Sequence, residues 1–237
     1  MAAVLWGSST GLLIPRAAYR LSVPPEEPWR AVCPAGHPFA GVGDGWLGRA
    51  RCADGDSYGP STPVLAAVSA VACAVLAAAT GARPELVVWL LLVPVGVLLA
   101  AVDFTVERLP DVVTLPLAVT TLGLLGVAGL LPGADGNGRA ALFGSLVLGA
   151  CYLVLFLINP TGFGFGDVKL ALTVGAVTGW YGWDILLAGA FVGFLLHALY
   201  GLSLIVARRA GRKTAIPFGP FLIAGALAGV LLGSLAL

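Results

Sequence analysis

Asp103 and Asp167 are the residues of this sequence best suited to chemistry. Asp103 ends an apolar run at 95–102, and Asp167 follows the glycine-rich segment 162–166, directly before another apolar run. Ionisable groups at membrane depth are costly and usually functional. Two carboxyl groups held close together cannot both ionise easily, so they share a proton and can act as general base and general acid. The pair therefore predicts acid–base hydrolysis of a peptide bond.

The composition indicates an all-α integral membrane protein. Of the 237 residues, 59% are hydrophobic and only 11% are charged, whereas a soluble domain has about 25% charged residues. The net charge is +1, and no basic stripe is present. This argues against nucleic acid as a partner and leaves the lipid bilayer as the surroundings.

The apolar runs predict a polytopic bundle of about eight transmembrane helices, because a spanning helix needs about 20 mostly apolar residues. The first run, within residues 1–14, has the length of a signal-peptide core. Arg16 and Arg20 follow it and do not precede it, so a retained helix is expected. A small irregular cytoplasmic loop at 15–63 comes next, and residues 64–237 form the membrane-embedded core. The predicted spans are 2–14, 64–80, 86–102, 112–131, 140–158, 168–180, 185–206 and 218–237.

The basic residues predict the orientation, because they concentrate in cytoplasmic segments. With the amino terminus outside and eight spans, only Arg83 and Arg139 of the 13 Lys and Arg residues fall in outer segments. The carboxyl terminus then also lies outside, and Asp103 and Asp167 lie at the cytoplasmic edge. The inner basic residues are Arg16, Arg20, Arg30, Arg49, Arg51, Arg108, Lys169, Arg208, Arg209, Arg212 and Lys213.

Asp167 also has a purely structural interpretation, because it precedes an apolar helix and could cap it. Three alternating glycines, Gly162, Gly164 and Gly166, weaken that interpretation. They indicate a backbone that must bend or must let another chain approach closely.

Other charged residues near the two aspartates have open or structural roles. Asp103 alone could be a charge that reaches the interface from a helix end. Asp111 follows Pro110 and precedes an apolar run, so it is expected to be a helix cap. Lys169 could anchor its helix at the interface, tune Asp167 or contact a substrate, and the sequence leaves these alternatives open.

The loop at 15–63 contains Cys33, His37 and Cys52, which are weak candidates for a metal site. Structural zinc sites use four ligands with paired spacing, and here Asp54 or Asp56 would have to complete the set. A loop without bound zinc is therefore expected. A disulfide between the two cysteines is not expected in a cytoplasmic loop.

Three segments resemble motifs of the type IV prepilin peptidases, which are Gly-x-Gly-Asp membrane aspartic proteases. Segment 103–117, with Leu-Pro-Asp at 109–111, is similar to the family's first aspartate motif. Segment 164–170, Gly-Phe-Gly-Asp-Val-Lys-Leu, is similar to the second, and Ile-Pro-Phe-Gly-Pro at 216–220 resembles the opening of the last helix. The resemblance covers residues 64–237 well and the rest of the chain poorly.

The resemblance implies a bacterial inner-membrane aspartic endopeptidase whose active site faces the cytoplasm. Such an enzyme cuts the short basic leader from prepilin or pseudopilin substrates after a glycine, and so serves type IV pilus assembly and protein secretion. It implies Asp103 and Asp167 as the catalytic pair and requires no cofactor. The residues it suggests for substrate binding or site shaping are Asp111, Gly164, Gly166, Lys169, Pro217, Phe218 and Gly219.

The cytoplasmic loop departs from the family pattern. Many members carry two Cys-x-x-Cys pairs in this loop and also methylate the new amino terminus from S-adenosylmethionine. Each pair has lost a member here, which leaves Cys33 and Cys52, and the family's Tyr-Pro-x-x-Glu survives only as Tyr58-Gly59-Pro60. We therefore expect leader removal without methylation and without zinc.

Two other functions remain as alternatives. A proton- or ion-coupled transporter could use paired membrane aspartates, but it would favour carboxylates at mid-membrane and internal repeats. The two aspartates lie at helix ends, and no repeat is visible. A presenilin-like or preflagellin peptidase would keep the chemistry and change the substrate, but the Leu-Pro-Asp and Pro-Phe-Gly-Pro motifs favour the prepilin branch.

Overall fold

The computed structural model describes residues 1–24, 26–160, 162–209, 214 and 216–236. Within these ranges the chain is helical, with two isolated β-bridges in the loop after the first helices. The helical segments are α1 (Ala2–Gly11), α2 (Ile14–Leu21), α3 (Val42–Gly45), α4 (Thr62–Thr80), α5 (Glu85–Val106), α6 (Asp111–Ala128), α7 (Gly138–Ile158), α8 (Phe165–Gly179), α9 (Trp183–Val206) and α10 (Gly219–Ala236). The predicted all-helical, polytopic architecture is confirmed.

Six of the described helices are long and apolar enough to cross a membrane, namely α4, α5, α6, α7, α9 and α10. The other two predicted spans coincide with shorter helices. Helix α1 has 10 residues, and α8 has 15. The chain is therefore a multi-pass membrane protein. Its long helices begin and end within a few residues of the predicted spans.

Helix α8 is the central helix of the bundle. Eleven of its residues are buried, and it packs against α6, α7, α9 and α10. The packing against α7 is close because Gly144 and Gly175 face each other, and a side chain on either would meet the backbone of the other. Small residues at a helix crossing let backbones approach in this way.

The end of the bundle that lies away from Asp103 and Asp167 is closed by polar contacts. The Tyr181 hydroxyl lies 2.8 Å from the Ser234 hydroxyl and accepts a hydrogen bond from the Trp89 indole N–H at 3.2 Å. Arg83 forms an ion pair with Asp135 at the same end. The contacts of Tyr181 satisfy polar groups of the buried residues Trp89 and Ser234 that would otherwise be destabilising inside a membrane, whereas the Arg83–Asp135 pair is partly exposed.

The segment after the first helix differs from the prediction. Helix α1 ends at Gly11, and α2 begins at Ile14, inside a stretch expected to be mostly irregular. Helix α2 buries its apolar face and directs Arg16 into the loop, where it donates to the carbonyl of Ala40 at 2.7 Å. Eight residues show too little periodicity to predict a helix, and Pro15 suggests a break although proline suits a first turn.

Basic residues lie at both ends of the bundle. The loop at 15–63 lies at the end that carries Asp103, where Arg108 donates to the carbonyl of Pro24 at 3.1 Å. Arg83 lies at the opposite end. Arg212 and Lys213, which belong to the predicted inner group, lie outside the described residues.

Candidate active site

Asp103 and Asp167 lie at the same end of the bundle, and both are nearly inaccessible. Asp103 is in the last turn of α5 with 4% of its surface exposed, and Asp167 is in the first turn of α8 with 7% exposed. Their carboxyl groups are within electrostatic range of each other. Leu109 packs against Gly166, which precedes Asp167, and against Gly219, which contacts Asp103. The fold thus brings together the two residues that the sequence singles out.

The first residue of α10 holds the Asp103 carboxyl group. The backbone N–H of Gly219 donates to Asp103 Oδ2 at 3.0 Å, and the positive end of the α10 dipole favours a carboxylate at this position. A Cβ atom on Gly219 would lie 2.7 Å from the same oxygen. Only glycine therefore fits here without moving the carboxyl group.

The glycine-rich turn before α8 holds the Asp167 carboxyl group. The backbone N–H of Gly164 donates to Asp167 Oδ2 at 3.1 Å. Asp167 is therefore not the cap residue of α8, but its side chain folds back to the residue at the cap position. Gly166 is needed for close approach, because a Cβ atom there would lie 2.9 Å from Leu109 Cβ.

Asp111 and Lys169 form an ion pair beside this site. Asp111 is the first residue of α6 and makes no capping hydrogen bond within the part of the chain that the structure describes, so the expected capping role is wrong. Its Oδ1 instead lies 2.5 Å from Lys169 Nζ. The Lys169 ammonium also lies 4.5 Å from the centre of the Phe165 ring, which is a favourable cation–π distance.

Phe218 belongs to a cluster of aromatic rings that joins both halves of the site. Its ring centre lies 5.8 Å from that of Tyr152, 5.9 Å from Phe163, 5.0 Å from Phe194 and 5.1 Å from His197. Tyr152 and His197 are not among the residues predicted from the sequence. The only feature of the sequence that points to these two residues is a polar side-chain atom within an otherwise apolar helix. Pro217 directly precedes Phe218 in the sequence.

An apolar cleft of about 450 Å³ adjoins the Asp103 side of the site. It lies between α4, α5, α8 and α10, and its lining includes Phe104 and Pro220, which follow Asp103 and Gly219 in sequence. Small residues such as Ala100 also line it. The cleft therefore begins beside residues that flank the site and extends along the apolar part of the bundle.

The two remaining loop cysteines occupy similar turns that lie against each other. In the first turn Gly36 donates its N–H to the carbonyl of Cys33 at 2.9 Å, and in the second Gly55 donates to that of Cys52 at 3.1 Å. Burial raises the pKa of the Cys33 thiol, but hydrogen bonds from Cys52 and from backbone N–H groups outweigh it and bring the pKa down to about 7.

His37 lies beside this thiol pair, with Nδ1 3.6 Å from Cys33 Sγ and 3.7 Å from an oxygen of Asp54. Across the described ranges, no group of three or more His, Cys, Asp or Glu side chains has the arrangement of a metal site. The weak candidates Cys33, His37 and Cys52 are thus near one another but do not form a recognisable ligand set.

These features define a multi-pass helical membrane protein with a carboxyl pair of the aspartic-protease type at one end of its bundle. The pair is buried, and the glycine N–H groups of the turn before α8 and of the first residue of α10 hold it. The chain belongs to the type IV leader peptidase family, whose sequence profile matches residues 90–234. That match runs from α5 to α10 and includes both aspartates.

Curated relatives carry the name prepilin leader peptidase/N-methyltransferase. The protein of Aeromonas salmonicida is 38% identical over 141 residues, which are 59% of this chain and 47% of the relative. That of Pseudomonas aeruginosa is 37% identical over 133 residues, which are 55% of this chain and 44% of the relative. That of Aeromonas hydrophila is 36% identical over 227 residues, which are 89% of this chain and 72% of the relative.

For several of these curated relatives the chain spans less than half of their length. No solved structure matches the chain.

Proposed function

We propose that this chain is a membrane aspartic endopeptidase that removes the short basic leader of type IV prepilin or pseudopilin substrates. The bond that is cut follows a glycine of the substrate, and cleavage occurs at the cytoplasmic face of the bacterial inner membrane. The observation that carries the proposal is the pair Asp103 and Asp167, buried together at one end of the bundle. The names of the relatives, prepilin leader peptidase/N-methyltransferase, support the substrate class.

The pair performs hydrolysis by sharing one proton. The ionised member takes a proton from a water molecule, whose oxygen attacks the scissile carbonyl carbon, while the protonated member donates a hydrogen bond to the carbonyl oxygen. The resulting intermediate collapses when the departing amine receives a proton from the pair. The two roles belong to the pair and not to one residue. The glycine N–H groups hold one oxygen of each carboxyl group and so fix its orientation.

The cytoplasmic position of the site is supported by the charge at that end of the bundle. Arg108, Lys169 and the arginines of the loop at 15–63 lie at this end, and such residues concentrate on the cytoplasmic side of a membrane. Counting the shorter helices α1 and α8 as crossings gives eight, which places both termini outside. The carboxyl groups lie at helix ends and not at mid-membrane, which favours a protease over a transporter.

The apolar cleft supports a substrate whose scissile bond is followed by an apolar helix. The lining residues Phe104 and Pro220 are sequence neighbours of the residues that form the site. Small residues such as Ala100 permit a helix to approach closely. The substrate helix would lie in this cleft while its basic leader remains on the cytoplasmic side.

The loop supports cleavage without amino-terminal methylation and without zinc. Each of its two turns keeps a single cysteine, and His37 is the nearest further donor to Cys33. A structural zinc site needs four ligands, and its loop would depend on the metal for folding. Neither zinc nor S-adenosylmethionine is therefore required for the proposed cleavage.

The test is processing of a purified prepilin in detergent. Asp103→Asn and Asp167→Asn should each abolish cleavage while the protein stays folded, because an amide cannot exchange the proton that the pair must share. Asp111→Asn is the matched control, since it also removes a carboxylate at the same end of the bundle. Full activity in either of the first two variants would contradict the proposal.

A further inference from the structure

Tyr152 on α7 is a buried polar residue that the roles above do not use. Only 1% of its surface is exposed, and its hydroxyl has no hydrogen-bond partner among the residues described. A buried hydroxyl without a partner is destabilising. Phenylalanine would fill the same space without that penalty. The hydroxyl is therefore available to a partner in another state of the site.

The ring of Tyr152 lies between the two segments that hold the carboxyl groups. It stacks on Phe194 with ring centres 5.8 Å apart, and it contacts Phe163 at 6.3 Å and Phe218 at 5.8 Å. Phe163 directly precedes the glycine that binds Asp167, and Phe218 directly precedes the glycine that binds Asp103. These three ring contacts restrict the orientation of the Tyr152 side chain.

The Tyr152 hydroxyl is also within electrostatic range of the Asp167 carboxyl group. Gly164 already occupies Oδ2 of that carboxyl group. A hydroxyl that donates to a carboxylate forms one of the stronger hydrogen bonds available in a protein. In unliganded active sites such bonds are often long, and they shorten when the substrate is bound.

Resting on the proposed function, we propose that Tyr152 is a positioning residue for peptide-bond cleavage. When substrate fills the site, the Tyr152 hydroxyl donates a hydrogen bond to the Asp167 carboxylate. This second hydrogen bond, added to that from Gly164, fixes the plane of the carboxyl group for proton transfer. The aromatic cluster holds the hydroxyl in place and links its position to the segment that binds Asp103.

The test is Tyr152→Phe in the full-length chain, assayed on a purified prepilin in detergent together with thermal unfolding. The variant keeps the ring and removes only the hydroxyl. We expect kcat to fall about 10- to 100-fold, the effect of losing one hydrogen bond to a charged group. KM should change less than about 2-fold, because the hydroxyl acts on the enzyme's own carboxylate. The unfolding temperature should be unchanged or higher.

Tyr181→Phe is the matched control, because Tyr181 is also a tyrosine of the bundle interior but its hydroxyl is bonded to Ser234 at the opposite end. It should lower the unfolding temperature and leave kcat unchanged. The proposal is overturned if Tyr152→Phe cleaves with the wild-type kcat. It is also overturned if the fall in kcat is no larger than the fall in the fraction of folded protein. If the wild-type chain does not cleave prepilin, the proposed function fails first and takes this inference with it.

Discussion

Replacement of Gly219 by alanine should disable the site, although Gly219 itself takes no part in the chemistry. Gly219 begins α10, and a Cβ atom there would lie 2.7 Å from Asp103 Oδ2 and 3.3 Å from Leu109 Cδ1. Ordinary van der Waals contact begins at 3.4 Å. The carboxyl group must therefore move by several tenths of an ångström. The same movement lengthens the hydrogen bond from the Gly219 N–H to Oδ2, now 3.0 Å.

The size of the effect follows from what the displaced carboxyl group must do. A hydrogen bond to a charged group contributes about 1.5–3 kcal/mol, and a misplacement of about 1 Å can lower a rate by about 100-fold. We expect Gly219→Ala to reduce kcat/KM by about 100-fold, which is about 2.7 kcal/mol of barrier. The loss should fall mainly on kcat. Overpacking should also lower the free energy of unfolding by about 1–3 kcal/mol.

The assay is prepilin processing in detergent with thermal unfolding measured on the same preparations. Gly225→Ala is the matched control in the same helix, because its Cβ atom would meet the backbone oxygen of Gly189 far from the carboxyl groups. Gly123→Ala meets open space and should be neutral. If Gly219→Ala keeps the wild-type kcat while folded, the close fit of α10 against Asp103 is not required for cleavage.

Three further outcomes test the rest of the proposal. Asp111→Asn should retain cleavage and lose less than about 1 kcal/mol in the free energy of unfolding, because the Asp111 side chain is 63% exposed and Lys169, at 13%, keeps its contact with the Phe165 ring; an inactive variant would contradict the catalytic assignment. Ala100→Phe should raise KM for prepilin about 10-fold by filling the apolar cleft, a loss of about 1.4 kcal/mol in binding; Val119→Phe, on an exposed face of α6, should not. Cys33→Ser with Cys52→Ser should retain cleavage, chelators should not inhibit it, and mass spectrometry should find no added methyl group on the product. Stoichiometric zinc or a methylated product would refute the last prediction.

The positions of the long helices could be predicted from the sequence because hydrophobic length determines them, but the helix ends at the site could not. The predicted third span stops at residue 102 because Asp103 is charged, whereas α5 continues to Val106. Likewise α8 begins at Phe165 and not at 168. A charge ends a helix at the membrane surface, but these two aspartates are buried inside the bundle. Both are therefore helical residues and not loop residues.

The partners of the site residues could not be predicted, because they come from distant parts of the chain. Gly219 binds Asp103 across 116 positions, and Lys169 binds Asp111 across 58. Sequence patterns report how each residue fits its own helix, and they carry no information on which helix it meets. The aromatic cluster around Tyr152 has the same character, since its rings belong to separate helices and turns.

The short length of α8 bears on the depth at which the buried carboxyl pair lies. At about 1.5 Å per residue, the 15 residues of α8 rise about 22 Å, whereas the 22 residues of α5 rise about 33 Å. A hydrocarbon core is about 30 Å thick, so α8 cannot cross it alone, and at least one of its ends lies below the surface. Its neighbours cover it, so it needs no contact with lipid. The first turn of α8 carries Asp167 and lies near Asp103, which is in the last turn of α5. The proposed cleavage of a leader from a membrane-anchored chain requires a site at such a depth, because both water and the apolar helix of the substrate must reach the carboxyl pair.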